Sequence, residues 1–110
     1  IGNYLRSEIL HQAGIHPSAK PRLLSDAKIQ SWAEATKFLS ELSYHSGGFT
    51  VSEKVALAGK QRGEPRRAYR HSAFCRNDLP CHYCGTEIVR IRVANRRLDF
   101  CPECQVLSEN

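Results

Sequence analysis

Methionine is absent from all 110 residues, and the first residue is Ile1. A natural full-length product ordinarily begins with methionine, so the expectation is a piece of a longer protein. Long apolar runs are missing too. None approaches the roughly 20 residues that cross a bilayer as a helix, which excludes that class of membrane protein. No secretory signal segment is visible, so an oxidising compartment and a disulfide framework are disfavoured. There is no internal repeat and no low-complexity tract. The histidines, His11, His16, His45, His71 and His82, are scattered along the chain and read as surface or packing residues.

Against these absences stand four cysteines near the C-terminus. Cys81-His82-Tyr83-Cys84 and Cys101-Pro102-Glu103-Cys104 are two C-x-x-C pairs separated by sixteen residues. This spacing is the pattern of a structural zinc site. A tight turn after the first cysteine of each pair lets two sulfurs converge, and two such knuckles close a tetrahedron around the ion. The competing readings are two disulfides or a redox C-x-x-C. The first needs oxidation, and the second needs one pair on a strand-to-helix junction. His82 is a possible substitute ligand, but four thiolates already fill the shell. They also leave no open position for catalysis at the metal. The fifth cysteine, Cys75, has no partner and reads as a reduced, partly buried thiol. That fits a reducing cytosol.

The formal charge is +5, from 16 Lys and Arg against 11 Asp and Glu. Residues 59–110 hold 10 of the 16 basic residues, nine of them arginine: Arg62, Arg66, Arg67, Arg70, Arg76, Arg90, Arg92, Arg96 and Arg97. Arginine makes forked contacts to phosphate, and an arginine-rich patch beside a zinc module is the footprint of nucleic-acid binding. A solvated, solubilising surface is the bland alternative.

Asn3 is a good N-cap for a helix over about 4–13. Leu5, Ile9 and Ala13 form its apolar stripe, and Gly14 its C-terminal cap. Pro17 and Pro21 bracket a polar connector. Ser25 and Asp26 open a second helix reaching about Tyr44. Its stripe is Ile29, Trp32, Ala35, Leu39 and Leu42, with Phe38 on the flank and Trp32 a packing residue. Ser46-Gly47-Gly48 stops it. Residues 49–73 read as a mobile loop, or as a short helix and a turn. Thr86 to Val93 alternates as a strand, with Val89, Ile91 and Val93 inward and arginines outward. Ala94-Asn95-Arg96-Arg97 is the turn, and Leu98 to Phe100 returns. In so small a unit the metal supplies much of the folding energy.

Two stretches carry a family resemblance. Ile1-Gly2-Asn3-Tyr4-Leu5-Arg6-Ser7-Glu8-Ile9-Leu10, then Ala13-Gly14-Ile15-His16-Pro17, resembles the second part of a helix-two-turn-helix module. Pro80-Cys81-x-x-Cys84-Gly85-Thr86-x-Ile88, then Arg96 and Cys101-Pro102-x-Cys104-Gln105, resembles the zinc finger that follows it. Together they resemble the formamidopyrimidine-DNA glycosylase and endonuclease VIII family of base-excision repair enzymes, with wording closer to the endonuclease VIII branch. The resemblance implies a mainly α fold with a small β-hairpin zinc finger. It divides into the second part of a helix-two-turn-helix module over 1–50, a variable loop or linker over 51–73, and a four-cysteine, zinc-ribbon-like finger over 74–110. It implies zinc on Cys81, Cys84, Cys101 and Cys104. It implies that Asn3 contacts a phosphate near the lesion, where a helix N-terminus favours an anion. It implies that Arg96, five residues before Cys101, grips the backbone around the flipped-out nucleotide.

Family members use an N-terminal proline amine, assisted by an adjacent glutamate, to attack the sugar C1′. This chain has no Pro-Glu start and begins inside the helical module, so it is expected to be inactive alone. Its expected partners are double-stranded DNA with damaged or abasic sites and an N-terminal catalytic domain of the same protein. Its expected place is the bacterial cytoplasm, at the nucleoid. Base extrusion is needed because the target atoms are inaccessible in a stacked duplex. The competing function is a zinc-ribbon module that docks on another protein and has no DNA role. Such a module needs neither Asn3 nor Arg96, and should expose an apolar patch.

Overall fold

A computed structural model describes residues 3–107. Helix α1 spans Asn3–Ala13 and α2 spans Asp26–Ser46, with a 3₁₀ turn at Pro21–Leu23 between them. Helices α3 (Glu53–Gln61) and α4 (Arg66–Tyr69) follow, then strands β1 (Val89–Val93) and β2 (Arg96–Phe100). No helix among the described residues is long and apolar enough to cross a membrane.

The helix ends follow local chemistry. Gly14 takes φ +69° just after α1, and the Ile15 N–H closes back onto Leu10 O at 2.9 Å. A left-handed residue at this place costs glycine nothing. The Ser25 hydroxyl accepts from Lys28 N at the start of α2, and Gly47, left-handed, ends it. The Ser52 hydroxyl does the same for α3 through Val55 N.

One apolar cluster joins α1 to α2. Ile9, Ala13, Ile15, Ala35 and Leu39 are buried, with Leu5, Leu10, Leu24, Trp32 and Leu42 packed around them. Burying a side chain such as Leu39 contributes about 1.5–3 kcal/mol. Trp32 is therefore a packing residue. Ile29, expected on the same stripe, is instead 48% exposed, and Phe38 is exposed as well. The stripe stops short of Ile29 because the facing helix ends at Ala13 and only the 3₁₀ connector lies beyond it.

The stretch 49–73, read as a mobile loop or as a short helix and a turn, holds α3 and α4. They approach closely at Gly59, where an added Cβ would lie 2.7 Å from Tyr69 Cβ and 2.8 Å from a Glu64 carboxylate oxygen. Arg76 is fully buried against this hairpin of helices. Its guanidinium pairs with Glu64 and donates to Ala68 O and Pro80 O.

Strands β1 and β2 form an antiparallel hairpin in which Arg90 faces Asp99 and Val93 faces Arg96. The turn is only Ala94-Asn95, both at positive φ (52° and 66°), as a two-residue primed hairpin turn requires. Arg96 and Arg97, expected in the turn, are the first residues of β2.

The expected strand parity also fails in part. Ile88 is buried and Val89 is 39% exposed. Arg90, expected outward, makes two hydrogen bonds to the buried Asp99 carboxylate, at 2.8 and 3.1 Å. Leu98, Asp99 and Phe100 are all buried, so both faces of β2 are covered. A buried Asp99 must be paired, and Arg90 is its cross-strand neighbour.

Candidate metal centre and nucleic-acid interface

The metal centre is built by the two knuckles. The sulfurs of Cys81, Cys84, Cys101 and Cys104 all lie within 4.8 Å of one another. Cys81 and Cys104 are 3.9 Å apart, and Cys84 and Cys101 are 3.4 Å apart. A tetrahedral zinc tetrathiolate with bonds of about 2.3 Å needs sulfurs roughly 3.8 Å apart, so the donor set fits zinc.

Local turns aim the sulfurs. Gly85 N–H donates to Cys81 O at 3.0 Å, and Gln105 N–H donates to Cys101 O at 2.9 Å, giving each knuckle the same closure four residues on. The Thr86 side chain and then its backbone lower the Cys84 thiol to about 6. Burial pushes the Cys101 and Cys104 thiols up. Zinc offsets that cost, because a coordinated thiol is deprotonated outright. The four cysteines form a zinc site, and its role is structural. Cys75 stands apart, partly buried, with its backbone N–H on Asp99 Oδ2 at 2.8 Å.

The finger is not a free appendage. A polar face of α1 docks onto it, at helical spacing: Tyr4, Ser7, Glu8 and His11. The Ser7 hydroxyl accepts from Asp99 N at 3.2 Å. Glu8 accepts from the backbone N–H groups of Ser72, Ala73 and Phe74 at 2.6–2.9 Å. His11 Nε2 lies 3.6 Å from Cys81 Sγ. On the far side, the fully buried Gln105 bridges the second knuckle to the segment after α1. Its Oε1 accepts from Cys101 N and its Nε2 donates to Ile15 O, both at 2.9 Å.

His11 and His71, read from sequence as surface or packing residues, are thus both in buried polar networks. Burial, and then the nearby His82 and Arg76, lowers His11 to about 4. Burial, and then Arg70, lowers His71 to about 3. The His71 ring is thereby neutral at pH 7. Gln105 lay inside the quoted zinc-finger motif, but nothing in its residue type announced a bracket.

Thr50, His71 and Glu8 superficially resemble a nucleophile with its base and acid. Thr50 Oγ1 is 2.5 Å from Glu8 Oε1 and 2.8 Å from His71 Nδ1. All three side chains are buried, at 4%, 0% and 1% exposure. Substrate cannot reach the hydroxyl, and its proton goes to the carboxylate. The cluster is structural.

The arginines divide by role. Arg76 and Arg90 are consumed in internal pairs with Glu64 and Asp99, and Arg62 lies 3.1 Å from Glu64. Arg66, Arg67, Arg92, Arg96 and Arg97 are exposed. Arg96 and Arg97, adjacent in β2, lie on opposite faces of the hairpin. Arg97 sits 5.8 Å over the Phe74 ring, and Phe74 lies 6.3 Å from Tyr4 in the first turn of α1. Asn3 is the first residue of α1; its side chain, and with it the expected capping contact, falls outside the described residues.

Comparison with known proteins agrees with this construction. Residues 78–106 match the zinc finger found in FPG and IleRS. The chain is 33% identical over 108 residues to a formamidopyrimidine-DNA glycosylase of a Synechococcus species, covering 98% of this chain and 37% of the relative. It is 34% identical over 105 residues to endonuclease 8 of Klebsiella pneumoniae, covering 96% of this chain and 36% of the relative. These two identities are too close to separate the branches, so the endonuclease VIII preference gains no support.

Among solved structures, the Lactococcus lactis FPG in complex with a FAPY-dG-containing DNA superposes with a TM-score of 0.75 at 27% identity, over 96% of this chain and 37% of that one. The MutM protein of Thermus thermophilus gives 0.76 at 26% identity, over 98% and 40%. This chain therefore spans little more than a third of its relatives' length. In sequence and fold it matches the C-terminal part of formamidopyrimidine-DNA glycosylase and endonuclease VIII family proteins, the part carrying the helical module and the zinc finger.

Proposed function

We propose that this chain is the DNA-gripping part of a base-excision repair glycosylase and AP lyase acting on oxidised bases. The observation that carries the reading is the locked pair of elements: the polar face of α1 is bolted to the finger and to the segment leading into it through Ser7, Glu8 and His11, and Gln105 ties the second knuckle to the residues after α1. Two phosphate-facing points, the N-terminal end of α1 and the arginine tip of the hairpin, are thereby held at fixed separation. A clamp on a bent backbone requires such a body.

In this reading Asn3 and the α1 N-terminus take a phosphate near the lesion. Arg96 grips the backbone around the extruded nucleotide. Zinc supplies the hairpin's rigidity and no chemistry. The chain's own side chains hold DNA, and the covalent steps belong to an N-terminal domain of the family type. The relatives named above are bacterial repair proteins, which supports a bacterial cytoplasmic, nucleoid-associated role. Docking on another protein is the weaker reading, because the exposed arginines have no part in it.

The test is binding of the zinc-loaded chain to a short duplex carrying a stable abasic analogue, against undamaged duplex, over a range of salt. Affinity is expected to fall steeply with salt, as phosphate contacts dictate. Absence of salt-sensitive binding, even at low ionic strength, sinks the reading.

A further inference from the structure

Among the described contacts between the helical module and the finger, one reaches a metal-ligating sulfur. We propose that His11 is a positioning residue of the zinc centre: it donates its Nε2–H to the Cys81 thiolate and so couples metal retention to helix α1. The inference rests on the zinc site and is independent of the DNA reading.

The geometry is specific. His11 lies on the third turn of α1, 7% exposed, with Nε2 3.6 Å from Cys81 Sγ. That separation suits an N–H donor to sulfur, which is larger than oxygen. The Tyr83 ring, inside the same knuckle, lies 5.8 Å from the imidazole, tilted by 34°. Cys81 is itself buried.

The chemistry sets the direction of the bond. A metal-bound thiolate has no proton to give, so Nε2 must carry the proton. Four thiolates on one zinc ion leave two net negative charges in a partly buried place. A donor aimed at one sulfur relieves them, as outer-shell donors do elsewhere, where their loss costs 10–100-fold in metal affinity. The consequence is mechanical as well. The ligand that opens the first knuckle is held from the helix that carries Ser7 and Glu8, so loss of metal and loss of the helix–finger lock become linked.

The experiment compares the wild-type chain with His11→Phe, which keeps an aromatic ring without a donor, and His11→Gln, which keeps a donor. Zinc affinity is read by competition with a chromogenic chelator. Ligand electronics are read from the sulfur-to-metal charge-transfer band of the cobalt-substituted chain. His11→Phe is expected to lose at least about 10-fold in affinity and to shift the band to longer wavelength, since the sulfur lone pair is no longer stabilised. His11→Gln is expected to recover most of both.

Wild-type affinity and an unmoved band in His11→Phe overturn the proposal, as does His11→Gln behaving like His11→Phe. If His11→Phe does not fold, the imidazole tautomer in the zinc-loaded wild type decides. Nitrogen-15 NMR should find a proton on Nε2, and a bare Nε2 overturns the assignment.

Discussion

The carboxylate of Glu8 accepts the backbone N–H of Ala73 at 2.7 Å, across 65 positions of the chain. The same carboxylate takes the N–H groups of Ser72 and Phe74 and the Thr50 hydroxyl. One side chain on α1 thus organises the entry to the zinc finger. Desolvation raises its carboxyl above the usual range, and the hydrogen bonds from Thr50 and the backbone oppose that shift.

Glu8→Gln tests how much of the lock this one group provides. The amide keeps the shape but turns one acceptor into a donor facing backbone N–H groups. Buried donors left unpaired cost about 1–3 kcal/mol each, so a loss of about 2–4 kcal/mol is expected in urea unfolding of the zinc-loaded chain. A loss below about 1 kcal/mol would show that the loop at 72–74 holds itself.

The packing of α3 on α4 leads to a counter-intuitive expectation. In a free helix Gly→Ala is favourable by about 1 kcal/mol. At Gly59 the new methyl would meet Tyr69 Cβ at 2.7 Å, an atom fixed to the backbone. Overpacking of this kind costs about 1–3 kcal/mol, so Gly59→Ala is expected to lower the thermal midpoint. A raised midpoint would mean that α4 yields freely.

What the sequence made legible, and what it hid, divides along α1 itself. Leu5, Ile9 and Ala13 announced a packed face because apolar residues at helical spacing have no other economical place. Ser7, Glu8 and His11, one face over, are just as buried. Polar residues at that spacing look like a solvated face until the donors at 72–74 and the Cys81 sulfur are known. Cysteine spacing was decisive because a metal's geometry is encoded locally.

The hairpin parity was misread for the reason that hid Glu8. Asp99 is a charged residue that the fold buries, and its partner Arg90 follows it inward. The turn was drawn two residues too long, through Arg97, because Ala94 gives no sign of a positive φ, a conformation that costs a non-glycine residue about 1–2 kcal/mol.

His71 gives a pH dependence with a definite sign. Its ring is held at about 3 in the fold, first by burial and then by Arg70, and returns to about 6.5 when unfolded. The unfolded chain therefore takes the proton first. The stabilisation is complete above about pH 6.5 and is lost progressively as pH falls toward 3. Between pH 7 and 5 this single group accounts for about 2 kcal/mol. Thiolate protonation and zinc release add to the total in the same direction, so the measurement is a difference. His71→Phe, unfolded in urea at both pH values, should lose about 2 kcal/mol less than wild type over that interval. Equal losses would assign the acid sensitivity to other groups.

The last expectation separates two neighbours in β2. Arg96 pairs across the hairpin with Val93, and Arg97 with Arg92. Arg96 is exposed beside the turn, on the face it shares with Ile91 and Leu98. Arg97 is on the other face, over Phe74. If the clamp reading holds, Arg96 contacts a phosphate and its loss acts twice. Arg96→Ala should weaken duplex binding about tenfold at moderate salt, and it should lower the slope of log affinity against log salt by about one, the signature of one lost phosphate contact. Arg97 faces a like charge across the strand pair, which destabilises a hairpin slightly in the absence of an anion. Arg97→Ala should therefore leave the fold as stable or slightly more so, with a smaller loss of affinity. Fluorescence anisotropy over a salt series, with unfolding curves for both variants, reads all four quantities. If Arg97→Ala instead removes the unit of slope and Arg96→Ala does not, the gripping arginine has been assigned one residue too early, and the DNA backbone runs along the Phe74 face.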